Sequence, residues 1–263
     1  MPLSCSITDF SPLLLGWESI FTSLQDTGID GVELVVGIKS RWNVRSLRKL
    51  AKKYHLPILS LHQPIWSGLD FYFDEGFFTV AQQLETSYIT VHPLPNCEIT
   101  SEKMMRYFEK LARVQEKYNL TILIENLSHE YSTKYVGKLF PLANSVGDLE
   151  QLYKAAKTYN LGLTFDTSHL QDTKPQENKS FRTIAPLIQN IHLSSFNSKQ
   201  AHLPVYMGDF DTPEFMRYLS HIQYQGLLTF EIYYPKEVTL FHYSADSIKK
   251  SVSYLKEHKH HIL

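Results

Sequence analysis

The chain is poor in cysteine, in net charge and in long apolar runs. Cys5 and Cys97 are its only cysteines in 263 residues, too few for a thiolate metal quartet or a disulfide framework. The first nine residues lack a charged segment followed by an apolar core, so no secretion signal is expected and the two thiols are expected to stay reduced. No stretch approaches 18 uninterrupted apolar residues; the best, at 13–15, is broken by Gly16 and Glu18. That pattern predicts a cytoplasmic protein with no membrane partner. Lysine plus arginine number 26 and aspartate plus glutamate 27, a net charge of −1, which argues against a general polyanion binder while leaving room for a locally basic surface. There is no G-x-S-x-G nucleophile elbow and no G-x-x-x-x-G-K-[ST] phosphate loop. No Gly/Ser-rich or Pro-rich linker divides the chain, so a single domain over residues 1–263 is expected.

Short apolar, β-branched runs recur, each followed by a polar turn and a helical pattern. They are LSCSI at Leu3, GVELVVG at Gly31, ILSLH at Ile58, YITVH at Tyr88, ILIEN at Ile122, LGLTFD at Leu161, NIHLS at Asn190 and LLTFEI at Leu227. Continuous apolar runs suit strands covered on both faces, as in a parallel sheet. Between them, Asn43 is placed to cap a helix carrying Leu47, Leu50, Ala51 and Tyr54, and Ser145 with Asp148 matches a capping box. Ser11-Pro12 and Thr212-Pro213 set proline just inside a capped start. Ile248, Val252 and Leu255 share one face of a final helix. Residues 171–180 (QDTKPQENKS) are the expected long surface loop. Eight repeats over 263 residues, about 33 each, predict an α/β protein with a (β/α)₈ TIM barrel fold. A doubly wound sheet is the rival, but Thr8-Asp9-Phe10-Ser11-Pro12 stands where its glycine-rich phosphate loop belongs.

The 12 histidines are distributed unevenly. Glu33 lies in the second run, His62 ends the third, His92 the fourth and Glu125 the fifth. Asp166 ends the sixth with His169 just beyond, His192 lies in the seventh and Glu231 in the eighth. In a barrel those ends converge on one mouth, so His62, His92, His169, His192 and His202 would face a shared cavity with the carboxylates. Burying so many ionisable groups together is costly unless a cation or strong hydrogen bonds compensate. Glu125, Asp166, His192 and Glu231 are the expected metal ligands. Oxygen and nitrogen donors without cysteine suit Zn²⁺, Mn²⁺, Co²⁺, Mg²⁺ or Fe²⁺. Glu125 and Glu231 are expected to exchange protons with a substrate carbon, the cation stabilising the enediolate. His55, His129, His221 and His242 carry no expected role, and His258, His260 and His261 are expected in a frayed tail.

At these residues the chain resembles the xylose-isomerase-like barrel superfamily of sugar isomerases, epimerases and endonuclease IV-like proteins. The carriers are GVEL (31–34), LHQP (61–64), VHP (91–93), IEN (124–126), FDTSH (165–169), IHLSS (191–195), HLPVYMGDFD (202–211) and FEIYY (230–234). The resemblance implies a metal quartet of Glu125, Asp166, His192 and Glu231, with the two glutamates as an acid/base pair on opposite faces of a sugar. It implies a substrate-facing role for Glu33 and a substrate or additional-metal role for His169. Arg41, Trp42 and Trp66, which follow the second and third runs, are expected to line the mouth. The first function implied is a divalent-metal-dependent isomerase or epimerase of a small sugar, sugar phosphate or polyol. The alternative is an endonuclease IV-like zinc hydrolase acting at abasic sites in DNA, in which His62, His92, His169 and His202 hold further ions, one to three in all. In that branch Gln200 stands where an aspartate is expected two residues before His202. A glycosidase built on Glu125 and Glu231 ranks last, because it leaves the histidines without a task.

Overall fold

The computed structural model describes residues 1–7, 16–35, 43–63, 75–127, 146–170, 177–232 and 245–259. Its centre is a closed barrel of eight parallel strands in chain order, with β1 pairing both β2 and β8. The strands are β1 (Leu3–Ile7), β2 (Gly31–Val35), β3 (Ile58–His62), β4 (Tyr88–Val91), β5 (Thr121–Glu125), β6 (Gly162–Asp166), β7 (Ile188–Leu193) and β8 (Leu227–Phe230). Around them run α1 (Trp17–Leu24), α2 (Val44–Tyr54), α3 (Glu75–Gln83), α4 (Glu102–Tyr118), α5 (Val146–Thr158), α6 (Glu177–Ile184), α7 (Thr212–His221) and α8 (Ala245–Lys259). All eight apolar runs became strands, and the chain is a (β/α)₈ TIM barrel.

The layer between strands and helices is apolar and aromatic. Phe165 points outward from β6 onto Phe181 of α6 and Phe215 of α7, with ring centroids 5.1 Å apart for Phe165–Phe181 and 5.0 Å for Phe181–Phe215. All three rings are buried, each contributing on the order of 2–3 kcal/mol through burial. Asn43 caps α2, its Oδ1 accepting from Ser46 N at 3.0 Å. Ile248, Val252 and Leu255 bury one face of α8.

Several local expectations shift. The stretch 171–180 is not loop throughout, because α6 begins at Glu177; Phe181 and Ile184, three apart, anchor that helix in the core. The cap of α7 is Asp211, whose carboxylate accepts from Glu214 N at 2.9 Å. Thr212 is the first helical residue, and its hydroxyl turns back to Val205 O. His92 and Glu231 lie one residue beyond β4 and β8. His258 belongs to α8 rather than to a frayed tail. Ser11, Pro12 and Ser145 lie outside the described residues.

Two irregularities of register matter for the site. Between β2 and β3 the pairing passes from Val32↔Ile58 to Glu33↔Ser60, leaving Leu59 as an extra residue. Between β6 and β7 it passes from Leu163↔Ile188 to Thr164↔Asn190, leaving Gln189 extra. Each bulge lies against a glycine. A β-carbon on Gly31 would come within 2.6 Å of Leu59 Cγ and Pro57 O, and one on Gly162 within 2.4 Å of Leu123 Cδ2 and 3.2 Å of Gln189 Nε2. Bulges of this kind re-aim every side chain that follows on the strand.

Candidate metal centre

Side chains alternate along a strand, so residues two apart share a face. Two residues before His62, His92, Asp166, His192 and Glu231 stand Ser60, Thr90, Thr164, Asn190 and Thr229, all fully buried. They form a polar layer under the mouth where a barrel of this kind ordinarily packs branched aliphatics. Thr90 and Thr164 share a hydrogen bond of 2.8 Å. Thr229 donates to Asn190 Oδ1 at 2.8 Å.

Above that layer the ligand-bearing side chains meet in three overlapping groups: His62, His92 and Glu125; Glu125, Asp166, His192 and Glu231; and Asp166, His169 and His202. Within each group one donor atom per residue lies within 4.8 Å of all the others, and every member is buried. Glu125 joins the first group to the second. Its Oε2 lies 3.1 Å from His62 Nε2 and 3.0 Å from His92 Nε2, and its Oε1 lies 2.7 Å from His192 Nδ1. The same His192 Nδ1 is 2.8 Å from Glu231 Oε2.

Asp166 joins the second group to the third. Its Oδ1 accepts from Ser168 N at 2.7 Å, Ser168 Oγ at 2.9 Å and His169 N at 3.3 Å. Its buried Oδ2 makes no hydrogen bond among the described residues. Asn126 clamps the aspartate's backbone, accepting from Asp166 N at 2.7 Å and donating to Asp166 O at 3.1 Å. His169 Nδ1 lies 2.7 Å from Asn126 O. A carbonyl oxygen only accepts, so Nδ1 carries the proton and Nε2 is the acceptor of the neutral ring. His202 is set the same way, with Nδ1 3.2 Å from Glu231 O.

The electrostatics follow from this crowding. Burial works against charge on Glu125 and Glu231, but His192 more than offsets it, together with His62 for Glu125 and His202 for Glu231. Both carboxyls are held well below the usual range. Burial likewise opposes protonation of His192, yet Glu33, Glu231 and Glu125 hold it well above the ordinary imidazole value. Asp166 is pushed up, chiefly by burial. Such a cluster balances its negative charge with protons on imidazoles, and a divalent cation can take their place. The donor set fits one: oxygens and imidazole nitrogens only, with Asp166 Oδ2 desolvated at a cost of about 1–3 kcal/mol if nothing binds it.

Every described residue expected at the site is therefore in one place. Glu33 is fully buried, with Oε1 3.3 Å from His192 Nε2. Arg41, Trp42 and Trp66 lie outside the described residues, as do His129, His242, His260 and His261. Sequence reading passed over the supporting groups Ser60, Gln63, Asn126, Ser168 and Asn190. The signal for Ser60 and Asn190 was present, since each is a polar residue two positions before a histidine and so on the same face of its strand.

A closed parallel barrel with an O/N donor cluster at the C-terminal strand ends defines a class of barrel proteins, most of them enzymes. The chain matches the xylose isomerase-like TIM barrel family over residues 21–258 and belongs to it. It is 23% identical over 242 residues to uncharacterised proteins of Mycobacterium tuberculosis and Mycobacterium bovis, spanning 82% of this chain and 83% of theirs. Among solved structures it is similar in fold to a D-allulose 3-epimerase from Methylomonas sp. in complex with D-allulose, with TM-score 0.73, 18% identity, and 98% and 97% of the two chains covered. It is also similar to an AP endonuclease, family 2, from Brucella melitensis, with TM-score 0.68, 14% identity, and 88% and 93% covered. No helix among the described residues is long and apolar enough to cross a membrane.

Proposed function

We propose that the chain is a divalent-metal-dependent isomerase or epimerase of a small sugar, sugar phosphate or polyol. The observation that carries this reading is the pairing of Glu125 and Glu231 across one ring nitrogen of His192, at 2.7 and 2.8 Å, inside a buried quartet completed by Asp166. Both glutamates are held in the ionised, proton-accepting form. One takes a proton from the carbon beside a carbonyl; the other, once it has gained a proton from solvent, delivers it to the opposite face, and the first then sheds its proton to solvent. A divalent cation held by the quartet supplies the polarisation of the carbonyl that makes that proton acidic. Asp166, oriented by Ser168 and Asn126, keeps Oδ2 as its ligand atom. Zn²⁺, Mn²⁺, Co²⁺, Mg²⁺ and Fe²⁺ all suit this donor set.

The test is solvent deuterium incorporation into ketose substrates. Wild type loaded with Mn²⁺ or Co²⁺ should exchange the proton next to the carbonyl, and Glu125→Gln and Glu231→Gln should each lose that exchange by 100-fold or more, on the order of general acid–base contributions. Exchange retained in both variants sinks the assignment.

A second reading, zinc-dependent hydrolysis of a phosphodiester at an abasic site, is favoured by one specific observation: two further triads share Glu125 and Asp166 with the quartet. Clustered cations suit an in-line displacement by stabilising attacking and leaving oxygens. Metal content separates the two readings. One tightly held ion per chain supports the sugar reading, whereas two or three zincs together with salt-sensitive cleavage of an abasic duplex support the hydrolase.

A further inference from the structure

We propose that Glu33 is a positioning residue for His192, accepting the proton of Nε2 and so keeping Nδ1 as the lone-pair atom turned toward the ligand quartet. This rests on the reading that the quartet holds a divalent cation. The two ring nitrogens of His192 face different partners. Nδ1 lies 2.7 Å from Glu125 and 2.8 Å from Glu231, while Nε2 lies 3.3 and 3.4 Å from the two oxygens of Glu33. Glu33 thus backs the ring on the side away from the quartet.

A fully buried carboxylate is costly unless donors compensate it, and here the donors are built in. Ser60 Oγ donates to Glu33 Oε2 at 2.7 Å and Asn190 Nδ2 donates to the same atom at 3.2 Å. The Asn190 amide is oriented in turn by Thr229, whose hydroxyl donates to its Oδ1 at 2.8 Å. Ser60 and Asn190 reach Glu33 because of the strand irregularities. Leu59 and Gln189 are the extra residues that bring Ser60 opposite Glu33 and Asn190 opposite Thr164. A slip of one residue would turn either side chain to the other face of the sheet. Both bulges therefore serve the same carboxylate. A carboxylate behind a ligating imidazole fixes its tautomer and raises its basicity as a donor, and losing such a partner typically weakens metal binding by 10- to 100-fold.

The experiment compares wild type, Glu33→Gln, Ser60→Ala and Asp166→Asn as full chains, by competition for Zn²⁺ against a chromogenic chelator. Glu33→Gln should bind Zn²⁺ about 10- to 100-fold more weakly, with Ser60→Ala showing a smaller loss in the same direction. Nitrogen-15 shifts of the His192 ring in the Zn²⁺-loaded wild type should show Nε2 carrying the proton; this needs no variant, so it decides the matter even if Glu33→Gln does not fold. Equal affinity of wild type and Glu33→Gln, or a proton on Nδ1 in the loaded wild type, overturns the inference alone. No Zn²⁺ uptake by wild type, or uptake unaffected by Asp166→Asn, overturns the quartet reading and this inference with it.

Discussion

The two triads flanking the quartet are built by different means. His62, His92 and Glu125 stand at or one residue past the ends of three successive strands, β3, β4 and β5. Their placement is a consequence of strand register, and the backbone of His92 is held from both sides: its N–H donates to Gln63 Oε1 at 2.9 Å, and its carbonyl accepts from Tyr107 on α4 at 2.9 Å. Asp166, His169 and His202 come from a strand end, a 3₁₀ turn (Ser168–Leu170) and a long connection after β7. His202 has a left-handed backbone, φ 56°, which a β-carbon disfavours by roughly 1 kcal/mol. It is held by the neighbouring bridge, where Leu203 and Ser195 exchange hydrogen bonds of 2.7 Å, and by the Nδ1 contact to Glu231 O. Strand ends fix a ligand cheaply through the sheet, whereas a loop must impose strain to reach the same precision.

The strongest way to break this comparison is to remove the atoms that join the groups. Glu125→Gln removes a candidate ligand shared by the quartet and the strand-borne triad, and Asp166→Asn one shared by the quartet and the loop-borne triad, so each is expected to weaken metal binding at the quartet and at any ion its triad holds. Each should lower affinity by about 100-fold or more, since a ligand is lost outright. Elemental analysis after dialysis reads the result, and a variant that keeps its full metal complement contradicts the shared-ligand layout.

A sharper contrast comes from pH. His62, His169 and His192 are held above their ordinary value of 6.5 in the fold, each against the opposing effect of burial, by neighbouring carboxylates. Their contribution to stability is fully present below 6.5 and is lost as pH rises through the raised values. Glu125 and Glu231 are held below 4.5, burial being offset by the histidines. Their contribution is present above 4.5 and lost as pH falls through the depressed values. The metal-free chain should therefore be most stable between about pH 4.5 and 6.5; His92, held down by burial, trims the acid side, and Asp166, raised by burial, favours the acid side and trims the alkaline one. Zn²⁺ affinity should instead rise with pH, because the imidazoles must shed protons to bind. Thermal melts of metal-free and loaded protein across pH 4 to 9 check both signs; coincident profiles would falsify the proton-for-metal exchange.

Smaller effects separate the loop from the strand. In metal-free protein His202→Gly should be more stable than His202→Ala by about 1 kcal/mol, because glycine accepts φ 56° without penalty. At His92 the same pair of substitutions should not favour glycine. Denaturant unfolding measures both differences. The least effect is expected for Tyr107→Phe, which deletes one buried hydrogen bond to His92 O and should cost about 1 kcal/mol. If the strand-borne triad holds an ion, Zn²⁺ competition should show that ion alone weakened.

How far the site was legible follows the same division. His62, Glu125 and Asp166 announce themselves as polar ends of apolar strands, and the eight-fold alternation of strand and helix is a pattern of period and length. The start of α6 at Glu177 was misplaced because polar composition is a local signal that a single buried pair, Phe181 and Ile184, can override; the cap of α7 moved by one residue, from Thr212 to Asp211, within the ordinary scatter of helix ends. Ser60 and Asn190 were overlooked because their partner, Glu33, is 27 residues from one and 157 from the other. The two bulges that aim them leave only an indirect mark, a glycine at Gly31 and another at Gly162.

The sequence by itself determined the barrel and which chemical groups crowd its mouth, because alternation of apolar strand and amphipathic helix admits few closed parallel solutions. Only the tertiary structure decided that Glu125 and Asp166 are each shared by two groups, and that His192 presents Nδ1 to the quartet and Nε2 to Glu33. Those are matters of ångströms between strands far apart in the chain. They are set by barrel closure and strand register, to which no local preference of the amino acids is sensitive.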